Sequence, residues 1–366
     1  MKGNLTCVSL VLFLLVSCSK SGGDGPIDPP VEPPVENDRP KNTEDYNATT
    51  DGLRDYFFED GYFDIGVAIE PQSIDKDEEV ILIKRHMNSL TAENAMKWSS
   101  IEPAEGNFNW AGADKIVNFA TSNNLKVRGH TLCWHQQVPS WVFEVNGETA
   151  GKEKVLERLR THIAAVVGRY KGKVYAWDVV NEAIDDGDGY RNSKWYSICG
   201  KDYIPEAFKA AREADPDAKL FYNDYNATAP QKLNKILTLL KELKDEGLVD
   251  GMGLQGHWNL DEPYISRIKD AFDSYAALGL ELQITELDIS TGTAQSYSSD
   301  IEQKQRSAYR RYFEQFRQYK DDITSVTFWG LTDAHSWKNQ PGNPDFPLLF
   351  KENYDPKGPY FDVVDF

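Results

Sequence analysis

The sequence predicts an α/β fold, a (β/α)8 TIM barrel forming a single catalytic domain. Three observations carry that prediction. From about residue 50 onward, short runs rich in β-branched and aromatic residues alternate with longer stretches whose apolar residues recur at helical spacing. The short runs number eight. Their polar residues sit at the carboxyl ends of many runs instead of gathering at one of them, which is where a barrel places its active site.

The predicted strands are, in order, 63–69, 88–94, 126–134, 174–182, 219–224, 252–257, 281–288 and 323–330. Between them, 154–170, 232–246, 264–277 and 301–319 carry the clearest helical periodicity. The strand ends hold Glu93 and Asn94, His130 and Trp134, Asn181 and Glu182, Asn223 and Asp224, Gln255 and His257, Glu286 and Asp288, and Trp329. A doubly wound open sheet shows the same alternation but concentrates its ligand groups at one switch point. No glycine-rich nucleotide fingerprint follows the first strand, which weakens that option further.

Composition bounds the function. With 366 residues, 40% hydrophobic and 12% aromatic, the chain can bury a large core. A formal net charge of −18 argues against nucleic acid as a partner, and nine Trp with eighteen Tyr suit flat apolar partners such as sugar rings. Residues 1–18 read as a lipoprotein signal peptide: Lys2, an apolar stretch too short to span a bilayer, then Leu15-Val-Ser-Cys18, shaped like a bacterial lipobox. Cys18 then becomes the acylated first residue of an outer-membrane lipoprotein, facing either the periplasm or the exterior. Residues 19–46, rich in Pro, Gly, Ser and acid, read as a flexible tether, and 47–366 as the catalytic domain. Only Cys133 and Cys199 remain in the folded part, so no disulfide framework is implied and their pairing stays open. A monomer is the default expectation.

Glu182 and Glu286 are the most informative pair. Each ends a hydrophobic run, where a buried carboxylate is costly unless it is hydrogen-bonded or has chemistry to do. Counting strands puts them after the fourth and the seventh, facing each other across the barrel mouth, as glycosidic bond cleavage requires. Glu286, with Asp288 two residues on and His257 in reach, suits an ionised nucleophile. Glu182, facing that negative charge, suits a general acid that keeps its proton until the first step and activates water in the second. A metal site at His130, Cys133 and His135 is disfavoured, because strand alternation puts His130 and Trp134 on one face and Cys133 and His135 on the other. No metal and no cofactor is expected.

Six segments then resemble one family. They are Thr91-Ala-Glu93-Asn94-Ala-Met-Lys97-Trp98, Arg128-Gly-His130-Thr-Leu-Cys-Trp134-His135-Gln-Gln137-Val-Pro139-Ser-Trp141, Trp177-Asp-Val-Val-Asn181-Glu182-Ala, Gly253-Leu-Gln255-Gly-His257, Ile284-Thr-Glu286-Leu-Asp288, and Trp329-Gly-Leu-Thr-Asp333-Ala-His-Ser-Trp337. In order and content these resemble glycoside hydrolase family 10, the retaining endo-β-1,4-xylanases, from about Leu53 to the end. The resemblance implies Glu182 as acid/base, Glu286 as nucleophile and His257 as the histidine that orients it. It implies Glu93, Asn94, Lys97 and Gln137 around the second sugar on the non-reducing side, and His130, Asn181 and Gln255 around the sugar being cleaved. Trp134, Trp329 and Trp337 become pocket walls, and Tyr225 a stacking residue on the leaving-group side. Xylan and xylo-oligosaccharides are the implied partners. A β-1,4-glucanase of mixed specificity and a non-catalytic surface glycan-binding protein are the alternatives. Cys133 departs from the aliphatic residue usual at its position, and the short C-terminal segment predicts a last helix of only a turn or two with weaker closure there.

Overall fold

The computed structural model describes residues 39–187, 189–292 and 296–366. The expected signal peptide, Cys18 and the first part of the expected tether lie outside the described residues. Eight parallel strands form the barrel: β1 (Asp64–Ile69), β2 (Ser89–Ala92), β3 (Lys126–Cys133), β4 (Ala176–Asn181), β5 (Lys219–Asp224), β6 (Gly251–Leu254), β7 (Glu281–Ser290) and β8 (Ile323–Phe328). Each pairs with the next, and β1 returns to β8 with Asp64 opposite Ser325 and Val67 opposite Phe328, so the sheet closes. The strands lie between two packed layers and are buried along nearly their whole length, which is why they read as continuous apolar runs.

The outer layer comprises α1 (Asp77–His86), α2 (Ala111–Ser122), α3 (Lys152–Arg169), α4 (Tyr203–Ala214), α5 (Pro230–Asp245), α6 (Ile265–Ala276), α7 (Ser299–Gln318) and α8 (Gly358–Val364). The longest, α7, shows how sequence sets an element. Ser298 caps its start by accepting from the Ile301 amide, and Asp300 and Glu302 sit in the first turn, where the helix dipole favours negative charge. Ala308, Tyr309, Tyr312, Phe313 and Phe316 recur at three- and four-residue steps and are buried against the barrel. Phe313 meets Phe57, Phe63, Phe316 and Phe328 there, and truncating it to Ala would cost about 3–5 kcal/mol.

One boundary and one expectation differ from the sequence reading. Residues 39–46, assigned by composition to the tether, are folded onto the barrel. Asn42 caps a short helix, Thr43–Ala48, the buried Tyr46 hydroxyl lies 3.1 Å from His86 Nε2, and Arg39 donates to the Phe366 carbonyl at 2.7 Å. The partners that order this segment are distant in sequence, so local composition could not reveal them. At the other end, α8 is about two turns long as expected, but closure is not weakened. Its Asp362 is paired with both Arg306 and Arg310 of α7, and Tyr360 is fully buried.

Inside the barrel, Arg128 of β3 pairs with Asp178 of β4 and donates to Gln283 Oε1 of β7 at 2.7 Å. All three are buried. A buried cation in this setting is tolerable because its charge and its donors are met. This layer is the floor of the site above it.

Candidate active site

A cleft of about 570 Å³ opens at the carboxyl ends of the strands. Every residue proposed above for catalysis and sugar binding lines it except Gln137. Gln137 is exposed, and its amide nitrogen lies 3.3 Å from Asn94 Oδ1, supporting that side chain from outside.

Glu286 is held from two sides. Asn223 Nδ2 donates to its Oε1 at 2.8 Å, and His257 Nε2 lies 3.0 Å from its Oε2. Asp288, two residues on and on the same side of β7, lies 2.8 Å from the other ring nitrogen of His257. Burial opposes charge on the imidazole, but Asp288 and Glu286 together outweigh it and lift the His257 pKa to about 10. His257 is therefore an imidazolium at neutral pH, donating from both nitrogens. Burial also pushes Glu286 up, yet the His257 hydrogen bond and the nearby His130 hold it below the usual carboxylate range. His130 is itself oriented by Asp178, 2.9 Å from its Nδ1, so the barrel floor reaches the site through this ring.

Glu182 follows β4 in a left-handed backbone conformation, φ 59°. A non-glycine residue there carries about 1–3 kcal/mol of strain and needs its neighbours to hold it. The Asn223 carbonyl accepts from its amide at 2.9 Å, and Arg191 Nε donates to its carbonyl at 2.8 Å. The turn directs the carboxyl into the cleft, where Gln255 Nε2 donates to Oε1 at 2.9 Å and Asn181 Nδ2 lies 3.3 Å away. Asn223 also donates to Asn181 Oδ1 at 2.9 Å, and Thr285 donates to Asn223 Oδ1 at 2.6 Å. Glu286 Oε1, a carboxylate oxygen that only accepts, fixes the Asn223 end facing it as nitrogen, so the facing atom of Asn181 is its oxygen. Asn223 and Asn181 in series thus link the two carboxyls. An ionised, fully hydrogen-bonded carboxylate beside a second, more open carboxyl is an arrangement that can split a glycosidic bond in two steps.

Elsewhere along the cleft, Lys97 Nζ donates to Asn94 Oδ1 at 2.9 Å and sits 5.0 Å from the Trp134 ring centroid. Asn94 Nδ2 donates to Glu70. Burial, then Glu70 and Glu286, drive the Glu93 pKa up to about 7 against the pull of Lys97. Burial likewise lowers Lys97, although four surrounding glutamates favour its charge. Trp329 packs edge-on to His130 at 5.2 Å, and Trp337 to His257 at 5.2 Å, with Trp337 Nε1 donating to Asp288 Oδ2 at 2.9 Å.

Comparison with known proteins agrees with this geometry. The sequence profile of glycosyl hydrolase family 10 matches residues 52–366. The chain belongs to that family. It is 47% identical over 320 residues to endo-1,4-beta-xylanase A of Caldicellulosiruptor saccharolyticus, covering 83% of this chain and 93% of that protein. It is 44% identical to the endo-1,4-beta-xylanase of Geobacillus stearothermophilus, covering 86% and 98%. The crystal structure of the endo-1,4-beta-xylanase from Caldicellulosiruptor owensensis superposes with a TM-score of 0.82 at 44% identity, over 86% of this chain and all of that one. A mutant structure in complex with xylotriose matches at a TM-score of 0.82 and 43% identity, over 86% and 99%.

The family 10 cleft also holds residues that the sequence reading left out. His135 was placed on the face away from His130; instead it lines the cleft, its Nδ1 3.8 Å from Glu182 Oε2. Strand alternation fails there because the register with β4 shifts between His130 and Cys133 and β3 ends at Cys133. Cys133 and Cys199 are both buried free thiols. Gln136, Arg191 and Asn226 line the cleft from loops, where no periodicity marks a direction. Asn223 was legible as a polar strand end, but its bond to Glu286 depends on β5 and β7 being two barrel positions apart.

Proposed function

We infer that this chain is a retaining endo-β-1,4-xylanase acting on xylan and xylo-oligosaccharides. The observation that carries the reading is Glu286, buried and held ionised by His257 and Asn223, with Glu182 directed into the same cleft. In the first step Glu286 attacks the anomeric carbon while Glu182 gives its proton to the departing glycosidic oxygen. In the second, Glu182 takes a proton from water, the hydroxide attacks the same carbon, and Glu286 leaves as carboxylate.

Glu93, Asn94 and Lys97, braced by Gln137, hold the glycone sugar beyond the cleavage point; His130, Asn181 and Gln255 surround the sugar being cleaved. Trp134, Trp329 and Trp337 wall the pocket and leave poor room for an exocyclic hydroxymethyl, which favours xylose over glucose. Tyr225 stacks the leaving-group sugar. One barrel holds the whole set, so a monomer suffices.

The test is reducing-end release by the full chain on soluble arabinoglucuronoxylan and on carboxymethylcellulose, with Glu286→Ala as blank. Short oligomers from xylan alone are expected. Activity mainly on cellulose would favour the mixed-specificity glucanase, and binding without release would make the protein a glycan receptor.

We further propose an outer-membrane lipoprotein acylated at Cys18 and joined to the barrel by the segment before residue 39. Arg39 sits beside Asp60 and Phe366, below the amino end of β1 and so away from the cleft mouth. Metabolic labelling with an alkynyl fatty acid should mark the protein, and Cys18→Ala should abolish the label.

A further inference from the structure

Lys232, in the first turn of α5, has no exposed surface. An ammonium taken out of water costs several kcal/mol unless its charge is met. Here it is met at three points. Asp224 Oδ1 lies 2.8 Å from Nζ, Asp186 Oδ1 lies 3.7 Å away, and the Tyr225 ring centroid lies 3.5 Å away. The rim of that ring is pinned as well: Arg191 Nη2 donates to the Tyr225 hydroxyl at 2.8 Å, and the hydroxyl donates to Asp186 Oδ2 at 3.2 Å. Tyr225 lines the cleft, so the surface it offers there is the one Lys232 does not cover.

We propose that Lys232 is a positioning residue for the leaving-group side of the cleft, fixing the Tyr225 ring so that a xylosyl unit beyond the scissile bond stacks on a rigid platform. The inference rests on the xylanase reading. Sugar stacking is weak per contact and is easily lost to the entropy of ordering a mobile ring. A cation seated on the hidden face, with the hydroxyl held at the edge, orders the ring before substrate arrives. Lys232 touches neither catalytic carboxyl, so its effect belongs mainly to substrate binding.

The test compares Lys232→Met with the wild type on two substrates. One is β-xylobiosyl fluoride, whose leaving group has no ring to stack; the other is xylopentaose labelled at its reducing end. Because Lys232→Met strands Asp224 without its counter-charge, the paired Asp224→Asn/Lys232→Met variant removes both charges at once and is measured alongside. On the fluoride, kcat/KM should stay within about threefold of wild type. On xylopentaose it should fall about tenfold, mainly through KM, equivalent to about 1.4 kcal/mol. An unchanged kcat/KM on xylopentaose in a folded variant, or equal losses on both substrates, would overturn the proposal. A wild type that cleaves neither substrate would overturn the xylanase reading and this inference with it.

Discussion

His257 Nε2 lies 3.0 Å from Glu286 Oε2, and this contact couples the charges of the two side chains. Asp288 on the far side of the ring makes the histidine a cation, and the cation keeps Glu286 ionised despite its burial. Replacing His257 with Asn leaves two buried carboxylates without that cation. The Glu286 carboxyl should then bind protons more readily, moving the acid limb of kcat/KM to higher pH. A charge-assisted bond of this kind contributes about 1.5–3 kcal/mol, so kcat/KM near neutral pH should fall roughly 10- to 150-fold. An unmoved acid limb would refute the linkage.

The two glutamates should separate by leaving group. Glu286→Ala should abolish turnover on every substrate. Glu182→Ala should lose most activity on xylan yet keep glycosylation of the enzyme by β-xylobiosyl fluoride, whose departure needs no proton. Azide then distinguishes them again: it should give the β-azide with Glu182→Ala and the α-azide with Glu286→Ala. Azide of the same anomeric form from both variants would contradict the assigned roles.

Gly253 is needed for space. A Cβ added there would come 2.4 Å from Asn223 Oδ1 and 2.9 Å from Thr285 Cγ2, so Asn223 must move. Its bonds to Glu286 and Asn181 would be disturbed together. Gly253→Ala is expected to lower kcat by about tenfold or more without touching the substrate, in line with loss of a well-placed hydrogen bond. Full activity would mean that Asn223 is not needed to hold the pair.

Glu93 exchanges stability for binding. Its folded-state pKa of about 7 lies above the ordinary glutamate value of 4.5, so the folded state holds this proton more tightly than the unfolded one. Its contribution to stability is therefore most favourable at low pH and is lost as pH rises from about 4.5 through 7. Glu93→Gln should accordingly raise Tm by a few degrees at pH 8, with little change at pH 4, while KM for xylo-oligosaccharides rises. Thermal melts at the two pH values decide this, and equal shifts at both would count against it.

Much of the site was legible because a barrel translates sequence position into spatial position. Once Glu182 and Glu286 were assigned to the ends of the fourth and seventh strands, their shared cleft followed from strand order alone. His135 was misplaced for the opposite reason: one register shift at the end of β3 breaks the two-residue alternation on which such assignments depend. Arg191 and Lys232 carried no local signal, since the groups that give them meaning, the Glu182 carbonyl and the Tyr225 ring, are reached only through loops and a neighbouring helix.

The sequence by itself determined the barrel and the two carboxyls, because hydrophobic periodicity and residue type are local properties that survive without coordinates, and the resemblance of its motifs to family 10 implied the aromatic walls. Tertiary structure alone decided which groups are charged and which are braced. His257 is a cation only because Asp288 and Glu286 converge on it, Glu286 stays ionised only because Asn223 and His257 reach it, and residues 39–46 fold only because the far end of the chain is there to receive them. Such properties depend on distance and burial, and those exist only once the chain has closed on itself.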